Sequence, residues 1–397
     1  MIKLFYIYVQ KIGGTEKREA IIMIQFNKPS ITEIEKNYIF QSLAELKLCG
    51  DGKFTHKASE FFAEKLNTSN MLLVTSGTHA LELAAILAEI KPGDEVIVPS
   101  YTFVSTVNAF ILRGAKPVFC DIEASTMNID ANKIEELITP KTKAIFPVHY
   151  AGVICDMDKI IEIAARYNLI VVEDAAQAVG SVYKETRPAG TIGDMGCFSF
   201  HETKNYVMGE GGGIVIKDKE LYKRAEILRE KGTDRSQFIR GEVDKYTWQD
   251  VGSSYLPSDT LAAMLCGQLD RFDEIMEKRM HVWDTYHKGF YEAEKSGKLI
   301  RPYIPDYTTH NAHMYYIILP DSQTRDAMIT KLRAKDIQSV FHYIPLHTAP
   351  MGQKLGYKSG DLPVTEEYSA RLLRLPMWAD LPQDSVEYII ETVNNLI

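Results

Sequence analysis

Short apolar runs alternate with longer amphipathic stretches through most of the chain, and that alternation predicts strands separated by helices. Met71-Leu72-Leu73-Val74, Asp94 to Ser100, Pro117 to Ile122, Lys143 to His149 and Leu169 to Gln177 are near-continuous apolar runs of strand length. Between and around them, Ile31 to Leu46, Ser59 to Lys65, His79 to Leu87, Ile129 to Ile138, Met157 to Tyr167 and Leu221 to Glu230 read as helices. Met157 to Tyr167 is the clearest, with Ile160, Ile161, Ile163 and Ala164 forming a core-facing stripe. Strands that are apolar throughout need cover on both faces, so the pattern predicts an α/β fold with a mainly parallel sheet between helix layers. Ligands of such sheets sit beyond the carboxyl ends of the strands.

From Asp259 to about Lys295 a helical pattern runs on with no glycine or proline other than Gly267 and Gly289. That is long for one globular helix and suggests a connector or a kinked pair. Pro302 and Pro305 then mark a boundary, followed by a strand at Met314 to Leu319, a helix at Thr324 to Lys335 and a strand at Ser339 to Tyr343. The expected organisation is an N-terminal extension (1–22), a large sheet-bearing domain with an N-terminal arm (23–258), a helical connector (259–310) and a smaller α+β domain (311–397). The first 22 residues are read as lying outside the fold, with Met23 as a candidate start.

Composition narrows the function. The 397 residues are 45% hydrophobic and 25% charged, as in an ordinary globular protein with ample core. A net charge of −8 argues against general nucleic-acid binding. No apolar run approaches the roughly 20 residues of a membrane-spanning helix. Five scattered cysteines without a CxxC pair suggest reduced thiols and a cytoplasmic protein.

The candidate chemistry converges on one lysine. Gly196-Cys197-Phe198-Ser199-Phe200-His201-Glu202-Thr203-Lys204-Asn205 ends an apolar run in a lysine where a strand should open into a loop. Partly apolar surroundings make a lysine amine lose its proton more easily, and such an amine can form a Schiff base with an aldehyde. Thr75-Ser76-Gly77-Thr78 sits between a strand and an alanine-leucine helix, where free N–H groups and the macrodipole suit a phosphate. A plain N-cap is the simpler reading of the same residues. Asp174 ends a strand and could hold a protonated pyridine nitrogen, or could serve as a cap or salt-bridge partner. Tyr101, just past a strand, could stack on a flat ring or belong to the core.

Other signals fail. Gly209-Glu210-Gly211-Gly212-Gly213 opens no helix, so it is no dinucleotide fingerprint, and no GxxxxGK[ST] occurs. His201-Glu202-Thr203-Lys204-Asn205 has Asn205 where a zinc helix needs its second histidine, so no metal site is expected. Pro345 prevents His342 and His347 from forming a helical metal pair; substrate contact or packing is expected there.

With Pro99-Ser100-Tyr101-Thr102-Phe103, Val172-Glu173-Asp174-Ala175-Ala176-Gln177 and Ser199-Phe200-His201 through Lys204-Asn205, the chain from Met23 onward resembles the DegT/DnrJ/EryC1/StrS sugar aminotransferases. The resemblance implies the fold type I pyridoxal phosphate (PLP) architecture with a mainly parallel seven-stranded sheet, PLP as cofactor, and a homodimer with shared active sites. It casts Lys204 as the cofactor-bearing amine and proton carrier, and Asp174 as the partner of the pyridine nitrogen. Ser76, Gly77, Thr78 and Ser199 would hold the phosphate, Tyr101 would stack on the ring and Gln177 would position it. Many members carry Gly-x-Asn-x-Arg where this chain has Gly252-Ser253-Ser254-Tyr255-Leu256, so Ser254 is the candidate for reaching a neighbouring subunit's phosphate. His201, Asn205, Tyr343 and His347 are the candidates for substrate contact. Lys245-Tyr246-Thr247-Trp248 and Val340 to His347 look like the subgroup that makes dTDP-4-amino-4,6-dideoxygalactose from L-glutamate and a dTDP-keto sugar. A nucleotide-sugar aminotransferase of other position or C4 stereochemistry, and a non-catalytic regulator of the same fold, stay open as alternatives.

Overall fold

A computed structural model describes residues 23–68 and 70–397. The expected N-terminal extension therefore lies outside the described residues. Five strands come first: β1 (Met71–Val74), β2 (Glu95–Pro99), β3 (Lys116–Cys120), β4 (Thr142–Ile145) and β5 (Ile170–Asp174). The short β6 (Val182–Tyr183) and β7 (Arg187–Pro188) follow, then β8 (Met195–Ser199) and β9 (Gly212–Ile216). β10 (Thr308–Thr309), β11 (Tyr315–Ile318) and β12 (Leu372–Leu375) complete the set.

Seven of these form one sheet in the order β1-β9-β8-β5-β4-β2-β3. Only β9 runs against the others, pairing antiparallel with both β1 and β8. Successive strand residues point to opposite faces, and both faces are apolar. Leu73, Ile97, Ile145, Val171 and Val215 enter one buried cluster, while Leu72, Val74, Val98, Val172 and Ile216 enter the other. That double burial is why these strands read as unbroken apolar runs.

Glu173 on β5 breaks the apolar rule. Glu173 is fully buried beside Asp174, and its carboxylate accepts N–H bonds from Gly190 (2.8 Å), Ile192 (2.7 Å) and Gly193 (2.6 Å) and a bond from His149 Nε2 (2.8 Å). The turn before β8 is thereby tied to β5, which keeps Asp174 and the loop after Ser199 in fixed relation.

The helical stretch after Asp259 is three helices, Asp259–Asp270, Phe272–Gly289 and Tyr291–Lys295. The first break falls at Arg271, whose guanidinium turns inward to the fully buried Glu35 (2.8 Å) on the helix Glu33–Glu45. Two expectations are corrected here. The expected helix from Ile129 to Ile138 shrinks to one 3-10 turn, Glu135–Leu137, because Asp130 Oδ1 accepts the N–H of Asn132 (2.9 Å) and offers the backbone a turn instead. The expected strand Ser339–Tyr343 reduces to a single bridge, Val340 to Arg374, after which the chain brings His342 and Tyr343 to the wall of a cavity.

β11 and β12 pair antiparallel over a third apolar cluster that includes Trp283, Tyr286, Phe290, Leu373 and Ile389. The arm at the start of the described chain docks on this C-terminal part: Ile24 bridges Ile337, and Met377 N–H donates to Phe26 O (3.2 Å). Polar links join the same part to the strand ends. Asp121 accepts from Thr365 N–H (2.8 Å) and its hydroxyl (2.7 Å), and Ser100 Oγ meets the fully buried His347 Nδ1 at 2.7 Å.

Candidate active site

At the carboxyl ends of β5 and β8 lies a cavity of about 470 Å³. Its walls come from regions far apart in sequence: the arm at Phe26 and Asn27, the loop and helix start after β1, the loops after β2, β4, β5 and β8, and the C-terminal part. Ser76, Gly77, Thr78, Asp174, Gln177, Ser199, His201, Lys204 and Tyr343 all line it, so nine of the residues singled out from sequence meet there.

The first wall is a helix N-terminus. Ser76 caps the helix Gly77–Leu87, its hydroxyl accepting the N–H of His79 (3.1 Å). As the first helical residues, Gly77 and Thr78 leave their N–H groups without an intrahelical acceptor. Thr78 Oγ1 meets Ser105 Oγ at 2.7 Å, and Ser199 stands opposite: a Cβ placed on Gly77 would lie 2.8 Å from Ser199 Cβ. The N-cap reading and the anion-site reading are therefore both correct, because the cap leaves other donors free.

Asp174 is buried, with Oδ2 accepting from Thr106 Oγ1 (2.6 Å) and Oδ1 from Ala176 N–H (3.1 Å). Thr106 is in turn 2.8 Å from Thr102 Oγ1. Gln177 bridges two parts of the site: Oε1 accepts from Ala151 N–H (2.8 Å) and Nε2 donates to Tyr343 OH (3.2 Å).

Lys204 faces these groups. Part of its side chain takes the cavity as its solvent, yet the amine is enclosed by protein and forms no hydrogen bond or ion pair with any described residue. Burial pulls it down to about 8, opposed by the charge of Asp174 and assisted by that of Arg374. At pH 7.5 roughly a quarter of such amines are neutral, against about one in a thousand for a solvated lysine.

Four expected residues lie elsewhere. Tyr101 is buried behind the cavity, its hydroxyl donating to His342 O and its ring packed on Tyr150 and Tyr343; the neighbouring Phe103, 57% exposed, lines the cavity instead. Asn205 is held by Asn311 O (2.8 Å) and His313 Nδ1 (2.9 Å). His347 is locked between Ser100 and Glu366. Neither lines the cavity, so both act as struts. Ser254 is exposed and does not line this cavity. Thr106, Phe103, His313 and Arg374 are site residues that sequence reasoning missed, whereas His342, expected to contact substrate or to pack, lines the cavity. Apolar spacing at Val104, Val107 and Phe110 marks the helix Val104–Ile111 that carries Thr106; nothing comparable marks Arg374.

The family model for the DegT/DnrJ/EryC1/StrS aminotransferases matches residues 29–394. The chain belongs to that family. Curated relatives of this aminotransferase include the spore coat polysaccharide biosynthesis protein SpsC of Bacillus subtilis, 38% identical over 344 residues, covering 85% of this chain and 87% of SpsC. GDP-perosamine synthase of Caulobacter vibrioides is 35% identical over 373 residues, covering 93% of this chain and 97% of its own. Among solved structures, the PLP form of Spr1654 from Streptococcus pneumoniae, described as a putative sugar aminotransferase, superposes with a TM-score of 0.86 at 29% identity, covering 94% of this chain and 98% of that one. The fold type I architecture and the PLP dependence of the family apply to this chain.

The residues present fit PLP. The free helix N–H groups and surrounding hydroxyls suit a phosphate, the half-bonded Asp174 carboxylate suits a pyridinium, and an unpartnered, partly neutral amine suits an aldehyde. Gly77 tests the cradle: Gly77→Ala puts a methyl group into the space against Ser199, and PLP affinity is expected to fall at least about tenfold. Absorbance titration of the apoprotein reads this directly, and unchanged affinity would move the phosphate away from this helix. Among the described residues, no helix is long and apolar enough to cross a membrane.

Proposed function

We propose that this aminotransferase moves the amino group of L-glutamate to C4 of dTDP-4-keto-6-deoxy-D-glucose, giving dTDP-4-amino-4,6-dideoxy-D-galactose and 2-oxoglutarate for a cell-surface polysaccharide. The observation that carries the reading is the unpartnered Lys204 amine, held near 8 in the same cavity as Asp174. Bound PLP supplies the electron sink for the carbon that loses or gains a proton. Ser76, Gly77, Thr78 and Ser199 bind its phosphate, and Asp174 keeps the proton on its ring nitrogen. Lys204 carries the cofactor and, once released, takes the proton from the amine-bearing carbon of the donor and returns one to C4 of the sugar. Phe103, Gln177 and Tyr343 would line the cofactor's site, and His201, paired with Thr203, would be a contact for the sugar.

A role in surface-polysaccharide assembly is supported by the name of SpsC. The nucleotide is the open contest, because the Caulobacter relative is named for a GDP sugar. We assign a homodimer on two supports. Leu46 (84% exposed), Phe40 and Leu43 leave the helix Glu33–Glu45 with an uncovered apolar face, and Trp248 is 79% exposed beside Tyr246. Ser254, exposed and outside the lining of its own cavity, is then available to the neighbouring one.

A visible spectrum tests the reading. The yellow band of the PLP-loaded protein should bleach with L-glutamate and return with dTDP-4-keto-6-deoxyglucose. Return only with a GDP-linked keto sugar would replace the nucleotide. No bleaching with any amino donor would end the aminotransferase assignment for this chain.

A further inference from the structure

One acceptor in the cavity has no donor in the chemistry above. Asn205, next in the chain after Lys204, donates through Nδ2 to Asn311 O (2.8 Å), and its Oδ1 lies 2.9 Å from His313 Nδ1. A backbone carbonyl can only accept, so the amide nitrogen faces Asn311 and the amide oxygen faces His313. That oxygen also only accepts, so the proton of the His313 ring sits on Nδ1. Burial, and after it the charges of Lys204, Arg279, Arg374 and His342, hold the ring well below the ordinary histidine range, so it carries that one proton. A lone pair is left on Nε2.

The lone pair faces the cavity. His313 lines it, and Nε2 forms no hydrogen bond with any described residue. Unlike His287 Nδ1, which is sealed without a partner, it keeps contact with open space. Arg279 fixes the backbone here by donating to the carbonyls of Ala312 (3.1 Å) and His313 (2.6 Å), so the acceptor is held in place.

Few donors can reach it. Arg279 is engaged with those two carbonyls. Of the charges acting on the ring, that of Lys204 weighs most, ahead of Arg279 and Arg374. Lys204 is itself an amine without a hydrogen bond or ion pair to any described residue, carried on a flexible stem. A donor without an acceptor and an acceptor without a donor thus share one cavity, and Asn205 ties the ring to the residue next to the lysine.

We infer that His313 is a positioning residue for Lys204: its Nε2 accepts an N–H of the lysine amine whenever that amine is free of the cofactor, and holds it for proton transfer. This rests on the aminotransferase reading above. A neutral amine that donates one N–H to Nε2 keeps its own lone pair, so it can still take a proton; an ammonium held the same way can still give one. The fixed acceptor narrows the places where a flexible stem can put that lone pair, and proton transfer depends on that placement.

Asparagine and glutamine separate this role from that of a strut, because each reproduces a different ring nitrogen. His313→Asn keeps a donor where Nδ1 stands, so the link to Asn205 survives and the cavity acceptor is lost. His313→Gln puts an amide oxygen where Nε2 stands and loses the link. In PLP-loaded protein, stopped-flow bleaching of the yellow band by L-glutamate is expected to slow about 10- to 100-fold in His313→Asn and by less in His313→Gln, with PLP affinity at the parent value in both. Parent-like bleaching in His313→Asn, or a greater loss in His313→Gln than in His313→Asn, overturns the inference and leaves only a strut.

The apoprotein gives a readout independent of turnover. Competitive labelling with acetic anhydride, followed on the peptide that carries Lys204, reports the pH midpoint of its amine. Losing the acceptor removes a bond that favours the charged form, so the midpoint should fall by about one unit in His313→Asn and stay near the parent's in His313→Gln. An unmoved midpoint in His313→Asn overturns the contact. Should that variant not fold, His313→Phe, which keeps a ring and loses both nitrogens, takes its place: a lowered midpoint supports the contact and an unmoved one overturns it. The two levels fail separately. A parent that L-glutamate never bleaches, with the midpoint lowered in the variant, keeps the contact and removes amino transfer; a parent that bleaches, with an unmoved midpoint, removes only the contact.

Discussion

Apoprotein in which Lys204 is replaced by methionine is expected to unfold at a higher temperature than the parent at pH 7, while losing amino transfer by a thousandfold or more, roughly the full contribution of a positioned acid–base group. The two effects share one cause. Lys204 is enclosed with no carboxylate bonded to it, and its basicity falls from the ordinary 10.5 to about 8. That difference corresponds to roughly 3 kcal/mol of folding free energy at neutral pH, an upper figure because water in the cavity solvates part of the charge. Methionine fills nearly the same volume without the charge, so Tm should rise by a few degrees. The sign with pH is fixed. Between about 8 and 10.5 the unfolded chain holds a proton on this lysine that the folded chain has released, so the parent gains stability as pH rises through that window. The gap between variant and parent should therefore be full below pH 8 and close towards 10.5. Thermal melts of the two apoproteins at pH 7 and 9.5 read it, and cofactor must be absent because its binding adds stability of its own. A gap that ignores pH would mean the amine is solvated.

Asp174→Asn should keep the cavity and lose the rate. Asparagine has the same shape, and its oxygen can still accept from Ala176 N–H, as Oδ1 does at 3.1 Å. Its amide nitrogen then faces Thr106, whose hydroxyl can turn to accept, so folding and PLP binding are expected to survive. What disappears is the negative charge opposite the ring nitrogen. A neutral partner does not hold a proton there, and the ring draws electrons from the reacting carbon less strongly. A fall in kcat of roughly 10²- to 10³-fold is expected, in the range for removing one preorganised electrostatic group. Steady-state rates with spectral titration of PLP check both halves, and a near-parental kcat would remove Asp174 from the chemistry.

Much of the sheet was readable because each strand is short, apolar on both faces and followed by a turn or a helix. The cofactor side of the cavity was readable for a related reason: Ser76 to Thr78, Asp174, Ser199 and Lys204 all stand at the last residue of a strand or in the loop after one. Contacts made across long sequence separations were not. Asp259 caps the helix Lys53–Lys65 by accepting from Thr55 N–H at 2.8 Å, which starts that helix six residues before its apolar pattern does. Tyr101 and Phe103 show a finer limit. Both are aromatics past the same strand, and only the local path of the loop decides which ring meets the cavity and which meets the core. Arg374 looks like any basic residue on a strand until β12 is placed against β11 and the arm at Phe26.

The polar link between Ser100 and His347 joins residues 247 positions apart in the chain. Loops of that size close slowly and late. Since His313, His342, Tyr343, Arg374 and Met377 are brought to the cavity by the same late-docking segment, a nascent polypeptide halted before residue 310 would already contain Lys204 but would present it to water, with the basicity of any surface lysine. The lowered basicity of Lys204 therefore belongs to the finished fold, and an unfinished chain would offer an aldehyde an amine no more reactive than any other exposed lysine.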